Sequence, residues 1–182
     1  MNLDYGYRLL SIGGYSLWTK ELVARRWRAY FVNFMFEQIS ARHLPFADPM
    51  EQEVCRVYRT LLPNVVRNPR RQGAILPIFF GCPDFPVFKT QKVSSREIEV
   101  NGGRHYNGLF FIPPGSRLRC GLRKHFKNHA DWYVRQGRPL ERIHVTKMSY
   151  GNMTDYALKA FKNGRVSGDD ILVLPRSSSE FS

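Results

Sequence analysis

Residues 101–114, NGGRHYNGLFFIPP, predict a tight turn followed by an apolar β-strand. Asn101 and the two glycines after it suit the backbone conformation of a hairpin turn, and the run at 109–112 is apolar without interruption. The two prolines that follow end the run. His105 lies near the start of this strand, where an imidazole could bind a metal ion. The segment therefore predicts a strand that carries a candidate functional residue at one end.

The composition predicts a folded, basic protein with a polyanionic partner. A chain of 182 residues with 43% hydrophobic residues can build the core of one domain, with or without an extension. Its net charge is +13 and no lysine-rich tail is present, so the charge is distributed over folded elements. This charge favours nucleic acid as the partner over acidic protein surfaces or a membrane.

The cysteines and the hydropathy pattern predict a cytoplasmic location. Cys55, Cys82 and Cys120 are odd in number and far apart, which argues against a disulfide framework or a zinc ribbon and indicates a reducing compartment. No apolar run approaches the roughly 18 to 20 residues of a membrane span. The first residues also lack the basic start of a secretory signal.

Hydrophobic periodicity predicts two helices followed by a mixture of strands and helices. Val23, Trp27, Tyr30, Phe31 and Phe34 have helical spacing and predict a long helix at 16–42. A second helix is predicted at 50–62. The later predicted elements are strands at 74–80, 97–100 and 105–113, a helix at 116–136, a strand at 142–148, a helix at 152–161 and a strand at 171–174.

This order predicts an α+β fold with a mainly antiparallel sheet and helices on one face. Residues 1–70 are predicted to form a helical N-terminal extension, and residues 71–182 an α+β nucleic-acid-binding domain. The front helices could also pack on the sheet and form one compact unit with it.

Two hairpin registers are open for the strands on either side of the turn. A three-residue turn places Glu99 opposite His105 and Glu97 opposite Asn107, on one face of the hairpin. Two carboxylates, an imidazole and an amide oxygen would then suit magnesium or manganese. A two-residue turn places Ile98 opposite His105 and sends both carboxylates to the other face, where they would be ordinary solvated charges.

Tyr156 and Lys159 form a second candidate motif. The segment DYALK at residues 155–159 predicts a tyrosine on a helix with a lysine one turn away. Such a pair could attack a phosphate and stabilise its charge. Tyr156 could instead be a core aromatic at helical spacing with Phe161, which is the commoner use of this residue type.

In these motifs the chain resembles the HUH single-strand endonucleases, which include rolling-circle replication initiators of plasmids and phages, relaxases and small transposases. That family has an early hydrophobic strand, a metal-binding His-hydrophobic-His strand, and a later helix with a nucleophilic tyrosine and often a lysine. The early strand corresponds to residues 75–80, the metal-binding strand to His105-Tyr106-Asn107, and the helix to Tyr156-Ala157-Leu158-Lys159. The resemblance therefore covers roughly residues 73–175. Asn107 stands where the family has its second histidine, and an amide binds divalent metals more weakly than imidazole.

The resemblance implies an HUH or ferredoxin-like fold and a nicking and strand-transfer reaction on single-stranded DNA. Tyr156 would attack a phosphate and form a phosphotyrosine link, Lys159 would stabilise the charge, and magnesium or manganese would polarise the phosphate. Replication or mobilisation proteins would be further partners. The predicted nucleic-acid contacts are Arg67, Arg70, Arg71, Lys89, Lys92, Arg104, Arg117, Arg123, Lys124, Lys127 and Lys162.

Two other functions remain open at this point. One is a non-catalytic nucleic-acid-binding module of the same fold, because the second histidine is missing. The other is an RNA-binding or RNA-processing protein in which His105, His125 or His144 acts as a general base without metal.

Overall fold

The computed structural model describes residues 3–37, 47–84, 104–148 and 153–176. In chain order these residues form α1 (Leu3–Ala24), β1 (Arg28–Phe36), α2 (Ala47–Val65), β2 (Ile78–Asp84), β3 (His105–Ile112), α3 (Leu122–Asn128), α4 (Ala130–Tyr133), β4 (Leu140–Lys147), α5 (Met153–Ala157), α6 (Lys159–Lys162), a 3₁₀ turn (Gly168–Asp170) and β5 (Leu172–Leu174).

The strands of the described residues form one antiparallel sheet in the order β4-β1-β3-β2-β5. β1 and β3 lie at its centre and pair from Arg28↔Ile112 to Met35↔His105. β1 and β2 run in the same direction with β3 between them, and α2 lies between the two in sequence, which is a split β-α-β arrangement. The α+β class and the antiparallel sheet predicted from the sequence are thus confirmed.

The first face of the sheet is covered by α2, α3 and α4. Val32 and Phe110 of the central strands belong to the core on this face. The buried apolar positions of α2 include Val54, Val57, Tyr58 and Leu61, which are spaced as one helical face. The Tyr58 ring stacks on Phe110 with centroids 6.0 Å apart, and its hydroxyl donates to the Pro77 carbonyl at 2.7 Å.

The second face is covered by α1, α5 and α6, so the expectation of helices on only one face is wrong. The apolar strand residues on this face include Phe31, Phe80, Leu109 and Phe111. Because they point away from the first core, they need a cover of their own. Trp18 of α1 stacks on Phe80 with centroids 5.8 Å apart, and Thr154 of α5 donates to the Thr19 hydroxyl at 3.4 Å.

The long helix predicted at 16–42 is wrong for Arg28–Phe36, which is a central strand of the sheet. Both faces of β1 are buried, so apolar side chains occupy successive positions and also satisfy helical spacing. Arg26, with φ of 64°, makes the left-handed turn between α1 and β1. Residues 1–70 are therefore not purely helical, and they supply a strand to the sheet.

The other predicted elements agree with the structure in type and differ in extent. The helix at 50–62 lies inside α2, and the strands at 105–113, 142–148 and 171–174 correspond to β3, β4 and β5. The strand predicted at 74–80 begins only at Ile78, and the helices at 116–136 and 152–161 are each replaced by two short helices. The strand predicted at 97–100 lies outside the described residues. Within the described part of the chain, no helix is long and apolar enough to cross a bilayer.

A buried histidine links α3 to α4. The His125 residue is 4% exposed, and its Nε2 lies 2.7 Å from the Tyr133 hydroxyl. Burial and, to a smaller extent, His129 lower the pKa of His125 to about 4. Its burial and its contact with Tyr133 argue against the alternative in which His125 acts as a general base on an external substrate.

The sheet requires glycine at Gly81, where β2 lies against β3. A Cβ atom at this position would lie 2.2 Å from the Asn107 carbonyl oxygen. We expect Gly81→Ala to lower the free energy of unfolding by about 2 kcal/mol or more, measured by urea denaturation. The matched control is Gly14→Ala in α1, where a Cβ would meet no atom within 4 Å. This change should raise the free energy of unfolding by up to about 1 kcal/mol, because alanine favours helix. A similar loss in both variants would contradict the close approach at Gly81.

Protonation of His125 should destabilise the fold. The pKa of His125 is about 4 in the folded chain, and its unfolded value is near 6.5, so the unfolded state takes up the proton first as the pH falls. We expect this group to remove on the order of 2 kcal/mol of the free energy of unfolding as the pH falls through that interval. Denaturation at several pH values should show a shallower decrease in His125→Gln than in the native chain and in the exposed control His144→Gln. Equal slopes in all three proteins would contradict this assignment.

Candidate functional site

Polar side chains form a row across the second face of the sheet. Asn33 of β1 is the register neighbour of Asn107 of β3 and of His144 of β4, and Cys82 of β2 is the other neighbour of Asn107. We call Asn33, Cys82, Asn107 and His144 the polar row. Asn33 and Asn107 alternate with the apolar residues that contact α1, α5 and α6, so they share that face.

An acidic residue that the sequence did not single out lies beside the predicted metal motif. Asp84 at the end of β2 is the register neighbour of His105 and accepts a hydrogen bond from Asn107 Nδ2 at 3.1 Å. Arg165 Nη1 lies 3.7 Å from the other carboxylate oxygen of Asp84. Asp84 therefore takes the place opposite His105 that one of the two predicted hairpin registers gave to Glu99.

The predicted hairpin registers of His105 are wrong. β1 and β2 pair with β3 along its two edges, and they place Met35 and Asp84 opposite His105. Neither edge is left for a strand that would put Glu99 or Ile98 at that position. Glu97 and Glu99 themselves lie outside the described residues.

Three polar atoms at this site are buried and have no hydrogen-bond partner among the described residues. They are Asn33 Oδ1, His105 Nδ1 and Asn107 Oδ1. Asn107 is 3% exposed, and its Nδ2 is already used by Asp84, so its carbonyl oxygen is the free end of the amide. A buried polar atom without a partner costs about 1–3 kcal/mol, and such groups are rare in folded proteins.

The electrostatic environment favours neutral nitrogen and oxygen donors at the site. Burial lowers the pKa of His105 below its ordinary value, and the nearby Asp84 opposes part of this shift. Burial raises the pKa of the Cys82 thiol to about 12, so this sulfur carries a proton at neutral pH. A neutral imidazole is the form that binds metal, whereas a protonated thiol is a poor ligand.

These donors could hold a hard divalent cation. Two amide oxygens, one imidazole and the Asp84 carboxylate form a set that suits magnesium or manganese, with water completing the shell. No group of three or more His, Cys, Asp or Glu in metal-binding proximity occurs in the described ranges. The donors of this site include only one histidine, His105, and one acid, Asp84, and the other two donors are the amides of Asn33 and Asn107.

Tyr156 lies on α5, above the same face of the sheet. Its ring packs edge-on against Phe31 at a centroid distance of 5.1 Å, and the residue is 52% exposed. Phe31 and Asn33 are successive residues on this face of β1, about 7 Å apart. The Cys82 thiol donates to the Ala157 carbonyl at 3.6 Å, which ties α5 to the polar row. Tyr156 is therefore not a buried core aromatic, and its hydroxyl belongs to a half-exposed side chain.

Lys159 lies near Tyr156 although the predicted helix is interrupted between them. Leu158 separates α5 from α6, and Lys159 is the first residue of α6. Lys159 Nζ lies 6.0 Å from the centroid of the Tyr156 ring. Lys162, which is also predicted to contact nucleic acid, forms an ion pair with Asp155.

The other predicted nucleic-acid contacts do not all lie together. Arg67, Arg70 and Arg71 are exposed in the loop after α2, and Arg117 Nη1 donates to the Pro63 carbonyl at 3.3 Å. Arg104 precedes β3, and its carbonyl accepts a hydrogen bond from the Phe36 amide at 3.2 Å.

Three of these predicted contacts share a groove with cations that the sequence analysis missed. Arg123, Lys124 and Lys127 line it together with Arg28 and Lys147. Lys89 and Lys92 lie outside the described residues.

Sequence reasoning also missed Asn33, Asp84 and Arg165. Asn33 was detectable in principle, because it is a polar residue inside the apolar segment YFVNFMF. Asp84 and Arg165 give no local signal, since only the pairing of β2 with β3 brings Asp84 to His105. Comparisons of the chain with protein-family models, curated proteins and solved structures found no match.

Replacing Asn33 by leucine should make the fold more stable and at the same time abolish metal binding. In the presence of a chelator, Asn33→Leu should raise the free energy of unfolding by about 1 kcal/mol, because a buried amide oxygen without a partner is removed. Manganese should raise the Tm of the native chain and leave the Tm of Asn33→Leu unchanged.

The control for this comparison is Asn64→Leu in α2. Asn64 Nδ2 donates to the Thr60 carbonyl at 3.2 Å, remote from the polar row. This variant should lose a little stability and keep the manganese shift. A manganese shift that survives in Asn33→Leu would contradict the assignment of Asn33 as a ligand.

Proposed function

We propose that this chain is a metal-assisted single-stranded DNA endonuclease and strand transferase that uses a tyrosine nucleophile. The observation that carries the proposal is that Asn33, His105 and Asn107 each have a buried, unpartnered polar atom on the face of the sheet where Tyr156 packs against Phe31. The order β1-α2-β2-β3-α3-β4, with β3 between β1 and β2, supports the HUH or ferredoxin-like form of the α+β fold.

The residues that would hold the metal are Asn33, Asp84, His105 and Asn107. A magnesium or manganese ion bound there would polarise a non-bridging oxygen of the scissile phosphate. The HUH pattern has a second histidine where this chain has Asn107, and Asn33 on the neighbouring strand offers an additional oxygen donor. Burial lowers the pKa of His105, which favours the neutral imidazole that serves as a metal ligand.

The chemistry assigned to Tyr156 is a transesterification. The Tyr156 oxygen forms a bond to phosphorus, and the bond from phosphorus to the 3′ oxygen of the preceding nucleotide breaks. The phenolic proton leaves Tyr156 and the departing oxygen gains a proton, so the products are a 5′ phosphotyrosine link and a free 3′ hydroxyl. Phe31 holds one side of the Tyr156 ring, and Lys159 would offset the negative charge that develops at the phosphate.

A free 3′ hydroxyl is the primer that a polymerase extends, and the covalent link preserves the energy needed to rejoin the strand. These products suit replication or mobilisation of a plasmid, a phage or a transposon. In that role the protein would act in the cytoplasm, and replication or mobilisation proteins would be its protein partners. The net charge of +13 supports nucleic acid as the substrate class.

A second candidate function is a non-catalytic nucleic-acid-binding module of the same fold. The observation that favours it is the state of Asp84, which is already engaged by Asn107 and Arg165. An acid held in this way has less capacity to bind a cation. The RNA-binding alternative depends on the same positive charge of the chain. Comparing an RNA oligonucleotide with single-stranded DNA in the adduct assay described below distinguishes it from the DNA endonuclease.

The decisive experiment is a test for a covalent adduct. Native protein is incubated with 3′-labelled single-stranded DNA and manganese, and the products are separated on a denaturing gel. We expect a labelled protein band that is absent in Tyr156→Phe and weaker in Lys159→Gln. The matched control is Tyr5→Phe, which changes an exposed tyrosine of α1 and should leave the band intact.

Two results would contradict the proposal. One is an adduct that persists in Tyr156→Phe. The other is oligonucleotide binding without adduct or cleavage over a wide set of sequences, which would support the non-catalytic module.

A further inference from the structure

A basic surface lies on the first face of the sheet, opposite the face that carries the polar row. It is a groove with a volume of about 590 Å³, and its charged lining residues are Arg28, Arg123, Lys124, Lys127 and Lys147. We call this surface the basic groove. Its charged lining residues are all cations, and the Tyr30 side chain also contributes to the lining.

The cations of the basic groove come from two sides. Arg28 and Lys147 lie on the central strand β1 and the edge strand β4, and Lys147 is the register neighbour of Tyr30. Arg123, Lys124 and Lys127 lie on α3 and are exposed. Tyr30 belongs to the core of the first face, so the groove and Tyr156 are on opposite faces of the sheet.

Among the described residues, no acidic side chain lines the basic groove itself. Its five cations form no ion pair there, whereas Arg56, Arg138, Lys162 and Arg165 elsewhere are paired with carboxylates. Arg28 makes one long hydrogen bond, from Nη2 to the Leu118 carbonyl at 3.4 Å. Five like charges in one concavity create a positive potential that favours a ligand with several negative charges.

We propose that the basic groove binds the phosphodiester backbone of a nucleic-acid strand, independently of base sequence. Phosphodiesters repeat a single negative charge along a narrow chain, which can contact cations on both walls of a groove. A bilayer surface is broad and cannot enter a concavity of this size, so an anionic membrane would contact only the rim.

A neighbouring groove runs from the basic groove along the edge strand β4. This second groove, of about 390 Å³, shares Arg123 and Lys127 with the first, and its other charged or imidazole lining residues are Arg142, His144, Asp131 and Glu141. His144 is the register neighbour of Asn33 in the polar row. A nucleic-acid strand bound in the basic groove would have to pass over β4 to reach Tyr156. This path rests on the proposed function, whereas binding in the groove does not.

Binding of a labelled oligothymidylate in the presence of EDTA tests the anchoring without any contribution from metal. Fluorescence anisotropy is measured over a range of salt concentrations for the native chain and for the double variant Lys124→Glu/Lys127→Glu. We expect the Kd of this variant to increase by about tenfold or more, and the slope of log K against log salt to fall by about 1.4, because two phosphate contacts are lost.

The matched control is Lys20→Glu/Arg59→Glu, which makes the same change in net charge at exposed positions outside the groove. Its Kd should change less than threefold. An equal loss of affinity in both double variants would overturn the inference, because binding would then depend on net charge alone. A second result would also overturn the inference. The native chain would bind vesicles that contain phosphatidylserine but would not bind the oligonucleotide, and the groove variant would lose the vesicle binding.

The outcome for the groove is distinguishable from the outcome for Tyr156. Oligonucleotide binding that is lost only in the groove variant, in a protein that forms no covalent adduct, would support the anchoring surface and contradict the proposed catalysis. Adduct formation at native rates by the groove variant at low DNA concentration would support the catalysis and overturn the anchoring.

Discussion

The structure depends on the pairing of β1 with β3 at the centre of a sheet that is covered on both faces. The apolar side chains of these strands belong to one of two cores, which pack against α2, α3 and α4 on the first face and against α1, α5 and α6 on the second. In such a position, apolar residues contribute by burial, and a polar residue must find a partner or lower the stability of the fold. The amides of Asn33 and Asn107 meet at this pairing, and their carbonyl oxygens remain without partners among the described residues.

Asn33 lowers the stability of the fold but offers an oxygen atom that could bind a ligand. A leucine at the position of Asn33 would pack without the cost of an unpartnered amide, so the fold alone does not explain the residue. Binding sites often keep such groups because the ligand, and not the protein, completes their coordination or hydrogen bonds. The short helix α5 then positions Tyr156 over the same face, held by Phe31 and by the contact of Cys82 with the Ala157 carbonyl.

The sequence predicted the parts of the fold that depend on local patterns. The apolar run at 109–112 and the two prolines after it are sufficient to predict β3, and the spacing of Val54, Val57, Tyr58 and Leu61 predicts α2. β1 was missed because burial on both faces removes the alternation that normally distinguishes a strand from a helix. The nearness of Tyr156 to Lys159 was predicted, whereas the break at Leu158 was not.

The position of β1 in the sheet also has consequences during synthesis of the chain. β1 is made before both of its neighbours, β3 and β4, and its second edge is paired only after β4 has been made. At common translation rates this takes on the order of ten seconds, during which an apolar strand has unpaired backbone edges. Completion of the sheet must therefore wait for contacts that are distant in sequence, and until then the two edges of β1 can pair with other chains.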